Sequence, residues 1–161
     1  MSRAPFQVLV FLRRLDANGP EYLVLKRADL SVWQGVAGGG EGDESPREAA
    51  IRETMEEVGA SATRLIDLES VAMVPVLDVV GCYRWGDDVL EIPEYAFCVD
   101  VDTNVVVRLS EEHTEYRWCS ACEAFDLLEW DSNRKALCVA EARRAAGAPV
   151  GELSCPLLNH H

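Results

Sequence analysis

Residues 38–60 read GGGEGDESPREAAIRETMEEVGA and contain the most clearly delimited helix signal in the chain. Ser45 is followed by a proline and then, three residues after the serine, by Glu48, which is the pattern of an N-cap with a capping box. Gly59 is a typical residue at which a helix ends. The stretch therefore predicts a helix over residues 46–58.

Three carboxylates share one face of this predicted helix, at spacings i, i+3 and i+4: Glu53, Glu56 and Glu57. Ile51, Met55 and Val58 project to the opposite face, and we expect that face to pack against the core. Like charges so close on a helix are unfavourable by a few tenths of a kcal/mol. A hard divalent cation, Mg²⁺ or alternatively Mn²⁺, would relieve that repulsion, whereas a solvated acidic face is the alternative interpretation.

Strand and turn signals dominate the rest of the chain. A glycine-rich stretch, residues 34–44, is interpreted as a loop. Apolar and β-branched runs predict strands over 6–12, 21–27, 64–83, 95–107 and 116–119. Capping signals predict helices over 120–128 and from 133 to 147. The pattern indicates a mixed α/β fold in a single domain over 1–161, with a core over 6–147 and an irregular tail over 148–161.

The composition narrows the function classes. The 161 residues include 15 Lys and Arg against 28 Asp and Glu, a net charge of −13, with 48% hydrophobic residues. This charge disfavours a protein that holds nucleic acid on a basic surface. No apolar run reaches the roughly 18 residues of a membrane span, and no signal peptide is evident. We expect the six cysteines to be reduced thiols and the protein to be cytoplasmic.

The whole segment 38–60 resembles the signature of the Nudix family, G-x5-E-x7-R-E-U-x-E-E-x-G-U, where U is aliphatic. The positions in register are Gly38, Glu44, Arg52, Glu53, Glu56, Glu57 and Gly59. Thr54 and Ala60 depart from the pattern, since larger aliphatic residues are usual there. Both are packing positions, so they bear on local core filling more than on catalysis.

The resemblance implies an α/β/α sandwich with a mixed sheet, a loop-helix-loop motif and hydrolysis of a nucleoside diphosphate linked to another group. It implies metal-binding and water-activating roles for Glu53, Glu56 and Glu57. Arg52 and Glu44 match a pair that braces the loop against the helix, and Arg52 belongs with Glu53 and Glu56 to the implied catalytic set. The carbonyl of Gly38 matches a metal ligand, and Gly59 supports the motif. The base varies within the family, and Glu53 is our choice for it.

Two later segments, LSEEHTEYRW and WDSNRKAL, extend the similarity to the branch that contains bacterial dihydroneopterin triphosphate pyrophosphohydrolases. There the resemblance implies a metal-binding role for Glu112, with Glu115 as the rival. Such an enzyme releases pyrophosphate from a small nucleoside or pteridine triphosphate and leaves the monophosphate. The alternatives are a dinucleoside polyphosphate, a nucleotide sugar or an RNA 5′ end as substrate, or a non-catalytic nucleotide-binding domain.

Three residues near the glycine-rich stretch are candidates for substrate binding. The indole of Trp33 could stack on a flat heterocycle and the amide of Gln34 could hydrogen-bond to it, although a tryptophan there is often simple packing. Arg27 ends the second predicted strand and could contact a phosphate, unless it contacts only water. The oligomeric state is not indicated by the sequence.

Overall fold

A seven-stranded mixed sheet is the centre of the computed structural model, which describes residues 2–78 and 85–146, the last two by backbone alone. The strands are β1 Arg3–Asp16, β2 Gly19–Arg27, β3 Trp33–Gln34, β4 Val36–Glu41, β5 Leu65–Pro75, β6 Glu91–Val101 and β7 His113–Cys119. The helices are α1 Pro46–Val58, α2 Ala121–Leu127 and α3 Asp131–Ala146, with a short 3-10 turn at Val76–Asp78.

Strand β1 runs through the middle of the sheet and changes its neighbour along its length. The main order is β3-β2-β1-β6-β5, and β1 is parallel to β6 but antiparallel to β2. On the edge away from β6, residues 13–16 of β1 pair with β2, whereas residues 7–10 pair with β4. Strand β7 pairs with β2. Strands β2 and β4 therefore lie one after the other along the same edge of β1.

Alternate residues of β1 divide the core into two layers, because successive side chains of a strand point to opposite faces. Val8, Val10 and Leu12 are fully buried in one cluster with alanines of α1. Leu9 and Phe11 are fully buried in the other cluster, with residues of α2 and α3. The predicted α/β/α sandwich with a mixed sheet is confirmed.

The helix predicted over residues 46–58 is confirmed together with both of its ends. The Ser45 hydroxyl accepts from the Glu48 amide, and the Glu48 side chain accepts from the Ser45 amide, so the capping box is complete. Gly59 ends the helix in the left-handed region at φ 70°, where a side chain would be strained.

The prediction of which face of α1 packs is confirmed for Val58, which is fully buried, and wrong for Ile51 and Met55. Ile51 and Met55 are 40% and 51% exposed, whereas Glu53 and Glu57 are buried. Small side chains make the packing surface instead: Ala49, Ala50, Thr54 and Val58. The Thr54 hydroxyl donates to the Ala50 carbonyl over 2.7 Å, so its departure from the aliphatic pattern leaves no unpaired polar group. The helix therefore turns two carboxylates inward.

The glycine-rich stretch is also not the loop that the sequence predicts, because residues 36–41 form β4. Its glycines sit where other side chains come very close to the backbone. A Cβ on Gly38 would lie 2.2 Å from the Glu53 carboxyl carbon, and one on Gly40 would lie 2.1 Å from the Phe6 ring. These glycines give room to neighbours rather than flexibility to a loop.

The remaining elements follow the predictions with shifted bounds. Strand β6 ends at Val101 instead of 107, β7 begins three residues early at His113, and α3 begins at Asp131 instead of 133. Three predicted features lie outside the described residues: positions 79–83 of the third predicted strand, the helix end at 147 and the tail 148–161. No helix in the described ranges is long and apolar enough to cross a membrane.

The expectation of reduced thiols holds for part of the cysteines. Cys98, Cys119 and Cys138 are free thiols. Cys122 is disulfide-bonded, so the expectation is wrong for that residue. Because Cys119 is free, it does not pair with Cys122 despite the CxxC spacing.

Candidate active site

A cavity of about 470 Å³ is lined by residues of β1, β2 and β4, among other elements. At one end it is lined by residues of the signature segment, Gly38, Gly39, Glu53 and Glu57, together with Glu112. At the other end it reaches residues of β5, β6 and the N-terminus of α3. The cavity thus has an acidic end and a more mixed end.

Arg52 ties the glycine strand to helix α1. Its Nε donates to Glu44 over 2.7 Å, and its Nη2 donates to the Gly39 carbonyl over 2.8 Å. Its Nη1 donates to Glu53 over 2.9 Å and to Glu56 over 3.1 Å. The bond from Arg52 holds the pKa of the Glu44 carboxyl below its usual range. The planar fork of an arginine suits such a set of bonds, and the bracing expected of Arg52 and Glu44 is present in the geometry.

Glu53 is held against the backbone at Gly38. Only a glycine leaves room there, since an added Cβ would lie 2.2 to 2.5 Å from the three atoms of the Glu53 carboxylate group. Burial raises the pKa of Glu53 to about 7, against the opposing effect of Arg52. The signature thus places a largely buried carboxylate and the Gly38 backbone side by side.

Glu57 is the most deeply buried carboxylate at this end, with 3% of its surface exposed. Burial, together with a hydrogen bond shared with the Glu112 carboxyl group, raises its pKa to about 10. Its Oε2 atom is buried without a hydrogen-bond partner and lies 3.9 Å from Nε2 of His113. A buried oxygen without a partner is costly, so this atom is suited to a ligand.

The donor set fits a hard divalent cation. Glu53, Glu57 and Glu112 line one cavity beside the Gly38 backbone, and Mg²⁺ and Mn²⁺ prefer oxygen ligands of this kind. Among the described residues no three His, Cys, Asp or Glu side chains stand as a ready metal cluster. We therefore expect these side chains to adjust when a cation binds.

The structure does not bring Glu56 to the cavity lining. Its side chain is 57% exposed and pairs with Arg52, so a metal role for Glu56 stays a prediction. Glu115, the rival of Glu112, lies away from the cavity and pairs with Lys26 over 3.3 Å. The geometry favours Glu112 of the two.

Of the three predicted substrate-binding residues, two line the cavity and one does not. Arg27 and Gln34 line the cavity and are buried, although Arg27 already pairs with Asp29 over 2.5 Å. Trp33 does not line the cavity; it packs against the core, with the Arg117 guanidinium 5.2 Å from its ring centre. The packing alternative is thus the one observed for Trp33.

The residues that line the cavity far from the signature and that sequence reasoning missed include Gln7, Glu94 and Trp130. Trp130 is the indole that the cavity actually presents, and its Nε1 donates to Gln34 over 3.0 Å. Its place in the WDSNRKAL segment was the available signal. Gln7 and Glu94 carry no local motif, because their meeting depends on the parallel pairing of β1 with β6.

The raised pKa of Glu57 predicts how stability depends on pH in the absence of metal. Its pKa is about 10 in the fold against an ordinary value of 4.5, so between these values the folded chain keeps a proton that the unfolded chain loses. Stability from this group is therefore complete below the unfolded value and falls as pH rises. His113, whose pKa is lowered by burial, acts in the opposite direction below about pH 6.5.

We therefore expect thermal unfolding in EDTA to show a midpoint that falls between about pH 7 and 8.5, more steeply for the parent than for Glu57→Gln. In this window the histidine no longer titrates in the unfolded chain. Equal slopes for the two proteins would show that Glu57 is not protonated in the fold.

The fold and this carboxylate site define a class of protein, and comparison with known families identifies it. The NUDIX domain model matches residues 5–140, and the chain belongs to the Nudix family. Nudix hydrolases generally use divalent metal ions such as Mg²⁺.

Three similar proteins refine this assignment. The chain is 30% identical to the dihydroneopterin triphosphate diphosphatase of Haemophilus influenzae, over 81% of this chain and 83% of that protein. It is 33% identical to the asymmetrical bis(5′-nucleosyl)-tetraphosphatase of Sus scrofa, over 81% and 87%. A NUDIX hydrolase structure from Listeria monocytogenes superimposes with a TM-score of 0.79 at 36% identity, over 89% and 96%.

Proposed function

We propose that this protein is a Mg²⁺-dependent pyrophosphohydrolase that cleaves a nucleoside or pteridine triphosphate into the monophosphate and pyrophosphate. The observation that carries the proposal is the convergence of Glu53, Glu57 and Glu112 on one cavity, where one buried oxygen of Glu57 has no hydrogen-bond partner. The similarity to the diphosphatase of Haemophilus influenzae supports the type of substrate.

In this proposal the residues around the cavity have separate roles in binding the metal, positioning the glycine strand, accepting a proton and binding phosphate. Glu53, Glu57 and Glu112 would hold the cation with the Gly38 carbonyl, while Arg52 keeps Glu53 and the glycine strand in place. A bound Mg²⁺ supplies charge neutralisation for the phosphates and lowers the pKa of a coordinated water. Glu53 is our choice for the carboxylate that takes the proton of the attacking water. Arg27, buried at the cavity wall, would contact a phosphate by exchanging its bond to Asp29.

A dinucleoside polyphosphate is the second candidate substrate. The observation that favours it is the 33% identity to the tetraphosphatase of Sus scrofa, slightly above that to the diphosphatase. The two candidates differ in their products, since an asymmetrical cut of a dinucleoside tetraphosphate yields a triphosphate and a monophosphate without free pyrophosphate. Chromatography of the products from GTP and from diadenosine tetraphosphate separates them.

Glu112→Gln should lower kcat/KM for pyrophosphate release by about 10- to 100-fold, the range typical of residues that tune a metal site. Glu115→Gln is the matched control, because Glu115 is three residues away, exposed and paired with Lys26. We expect it to keep the activity of the parent. Equal losses in both variants, or none in either, would contradict the assignment of Glu112.

A cytoplasmic location and a small-molecule partner belong to the same proposal. Free thiols at Cys98, Cys119 and Cys138 support a reducing compartment, whereas the disulfide at Cys122 counts against it. The charge of −13 favours a small metal-bound polyphosphate over a long nucleic acid.

A further inference from the structure

Glu94 is a buried carboxyl group at the end of the cavity away from the metal-binding carboxylates. It lies on β6 with 4% of its surface exposed, yet it lines the cavity. Its Oε2 accepts a hydrogen bond from Gln7 Nε2 over 2.8 Å, and its carboxylate also accepts one from the Ser132 hydroxyl. Neither partner carries a charge. A carboxyl group buried without a cation is costly in a fold, so its presence at a cavity wall calls for a functional reason.

The register of the sheet fixes where Glu94 lies relative to the acidic end. Gln7 of β1 is opposite both Gly39 of β4 and Glu94 of β6. The three residues form one row across adjacent strands, so Gly39 and Glu94 are separated by two strand spacings, or about 10 Å. Glu53 lies against Gly38, the neighbour of Gly39. Because one cavity is lined by both Glu53 and Glu94, a nucleotide whose phosphates lie at the acidic end can direct its ring toward Glu94.

The surroundings of Glu94 suit a flat heterocycle. Val74 and Pro75 of β5 give the cavity an apolar wall, and Trp130 contributes an indole fixed by its bond to Gln34. An ionised carboxylate is an acceptor with about four lone-pair positions, and Gln7 and Ser132 satisfy part of them. Burial raises the pKa of Glu94 against the opposing effect of these two hydrogen bonds, and two N–H donors of a bound ring would favour the charged form further. The unused acceptor positions are available to donors of a bound ring.

We propose that Glu94 recognises a heterocycle that carries an amino group next to a ring N–H, as guanine and pterins do, and discriminates against adenine. Two parallel N–H donors match the two oxygens of a carboxylate. Adenine instead presents a ring nitrogen acceptor beside its amino group, which leaves one carboxylate oxygen facing a lone pair. A site built to accept hydrogen bonds rejects a ligand that lacks the donors. This inference rests on the proposed function, because it names the substrate class of the same site.

The test compares GTP with ATP for the parent and Glu94→Gln, with pyrophosphate release in Mg²⁺ as the readout. Glutamine is nearly isosteric, and it offers one donor and one acceptor, which complements adenine better than guanine. We expect the parent to prefer GTP, and the ratio of kcat/KM values to fall by about 10- to 100-fold in the variant, since hydrogen bonds to a charged group are the stronger ones. Glu91→Gln is the matched control, on the same strand but exposed and outside the cavity, and should keep the parent's ratio.

Ser132→Ala provides a second variant that leaves the sheet unchanged. Loss of the hydroxyl that orients Glu94 should shift the GTP to ATP ratio in the same direction by a smaller factor. The inference is overturned if the parent prefers ATP, or if Glu94→Gln leaves the ratio unchanged while hydrolysis continues. Failure of the proposed function looks different, because neither triphosphate is then cleaved by any variant. In that case the ratio of GTP affinity to ATP affinity is measured instead, by equilibrium binding in Ca²⁺. Equal affinities in the parent overturn the inference.

Discussion

Replacing Glu57 by glutamine should lower kcat/KM for triphosphate hydrolysis by about 10²- to 10³-fold, the size of effect seen when one charge-stabilising group is removed from an active site. Glu57 is the carboxylate with a buried, unpartnered oxygen at the acidic end of the cavity. A glutamine keeps the shape but presents an amide, which lacks the negative charge that a divalent cation requires. Pyrophosphate release measures the loss of hydrolysis, and calorimetry measures the accompanying loss of Mn²⁺ affinity.

The fold should survive this substitution, because the Glu57 side chain is held uncharged by burial at neutral pH in the absence of metal. We therefore expect the thermal midpoint in EDTA to be equal to or above that of the parent. Glu115→Gln, which changes an exposed carboxylate outside the cavity, should leave hydrolysis intact. Full activity of Glu57→Gln, with a normal midpoint, would contradict a metal-binding role for Glu57.

Gly38→Ala should lower hydrolysis by about 10²-fold, which is the cost of misplacing a catalytic group by about 1 Å. The new Cβ would overlap the Glu53 carboxylate at 2.2 Å, and the backbone beside it is paired with Val8 of β1. The flexible end of Glu53 is the part that can move. Its displacement breaks the geometry that Arg52 maintains, while the core beneath the strand stays packed.

Gly40→Ala is the matched control for this substitution. Its Cβ would overlap the Phe6 ring at 2.1 Å, so it disturbs apolar packing at the end of the same strand instead of a carboxylate. For Gly40→Ala we expect a lower thermal midpoint and a nearly unchanged Mn²⁺ affinity. For Gly38→Ala we expect a lower Mn²⁺ affinity and a nearly unchanged midpoint. If both variants lose only stability, the close approach of Glu53 to Gly38 has no catalytic importance.

Local signals in the sequence were sufficient for helix α1 and for most of the other elements. The ends of α1 depend on groups within a few residues of each other, such as the Ser45 hydroxyl and the Glu48 amide. The face of α1 that packs could not be predicted by periodicity, because Ala49 and Ala50 allow a close approach to the sheet and Ile51 is left exposed. A hydrophobic periodicity pattern gives the largest apolar side chains the most weight, whereas α1 packs against the sheet mainly through small side chains.

In the candidate site, too, residues within one sequence motif were predicted, whereas residues brought together by the pairing of distant strands were not. The Glu53 and Glu57 positions, four residues apart, were predicted from the signature and lie together in the cavity. Gln7 and Glu94 are 87 positions apart, and only the parallel pairing of two strands brings them into contact. Trp130 was missed because Trp33 is equally aromatic and nearer to the signature, and the one signal for Trp130 was its place in the WDSNRKAL segment.

The most direct test of the account records divalent cation binding and triphosphate hydrolysis in one titration of the parent protein. The account predicts that pyrophosphate release from GTP is absent in EDTA and appears with Mg²⁺ or Mn²⁺. It also predicts that activity and Mn²⁺ occupancy rise over the same concentration range, and that both are lost in Glu57→Gln. Hydrolysis that persists in EDTA, or Mn²⁺ occupancy and nucleotide binding without turnover of any triphosphate, would contradict it.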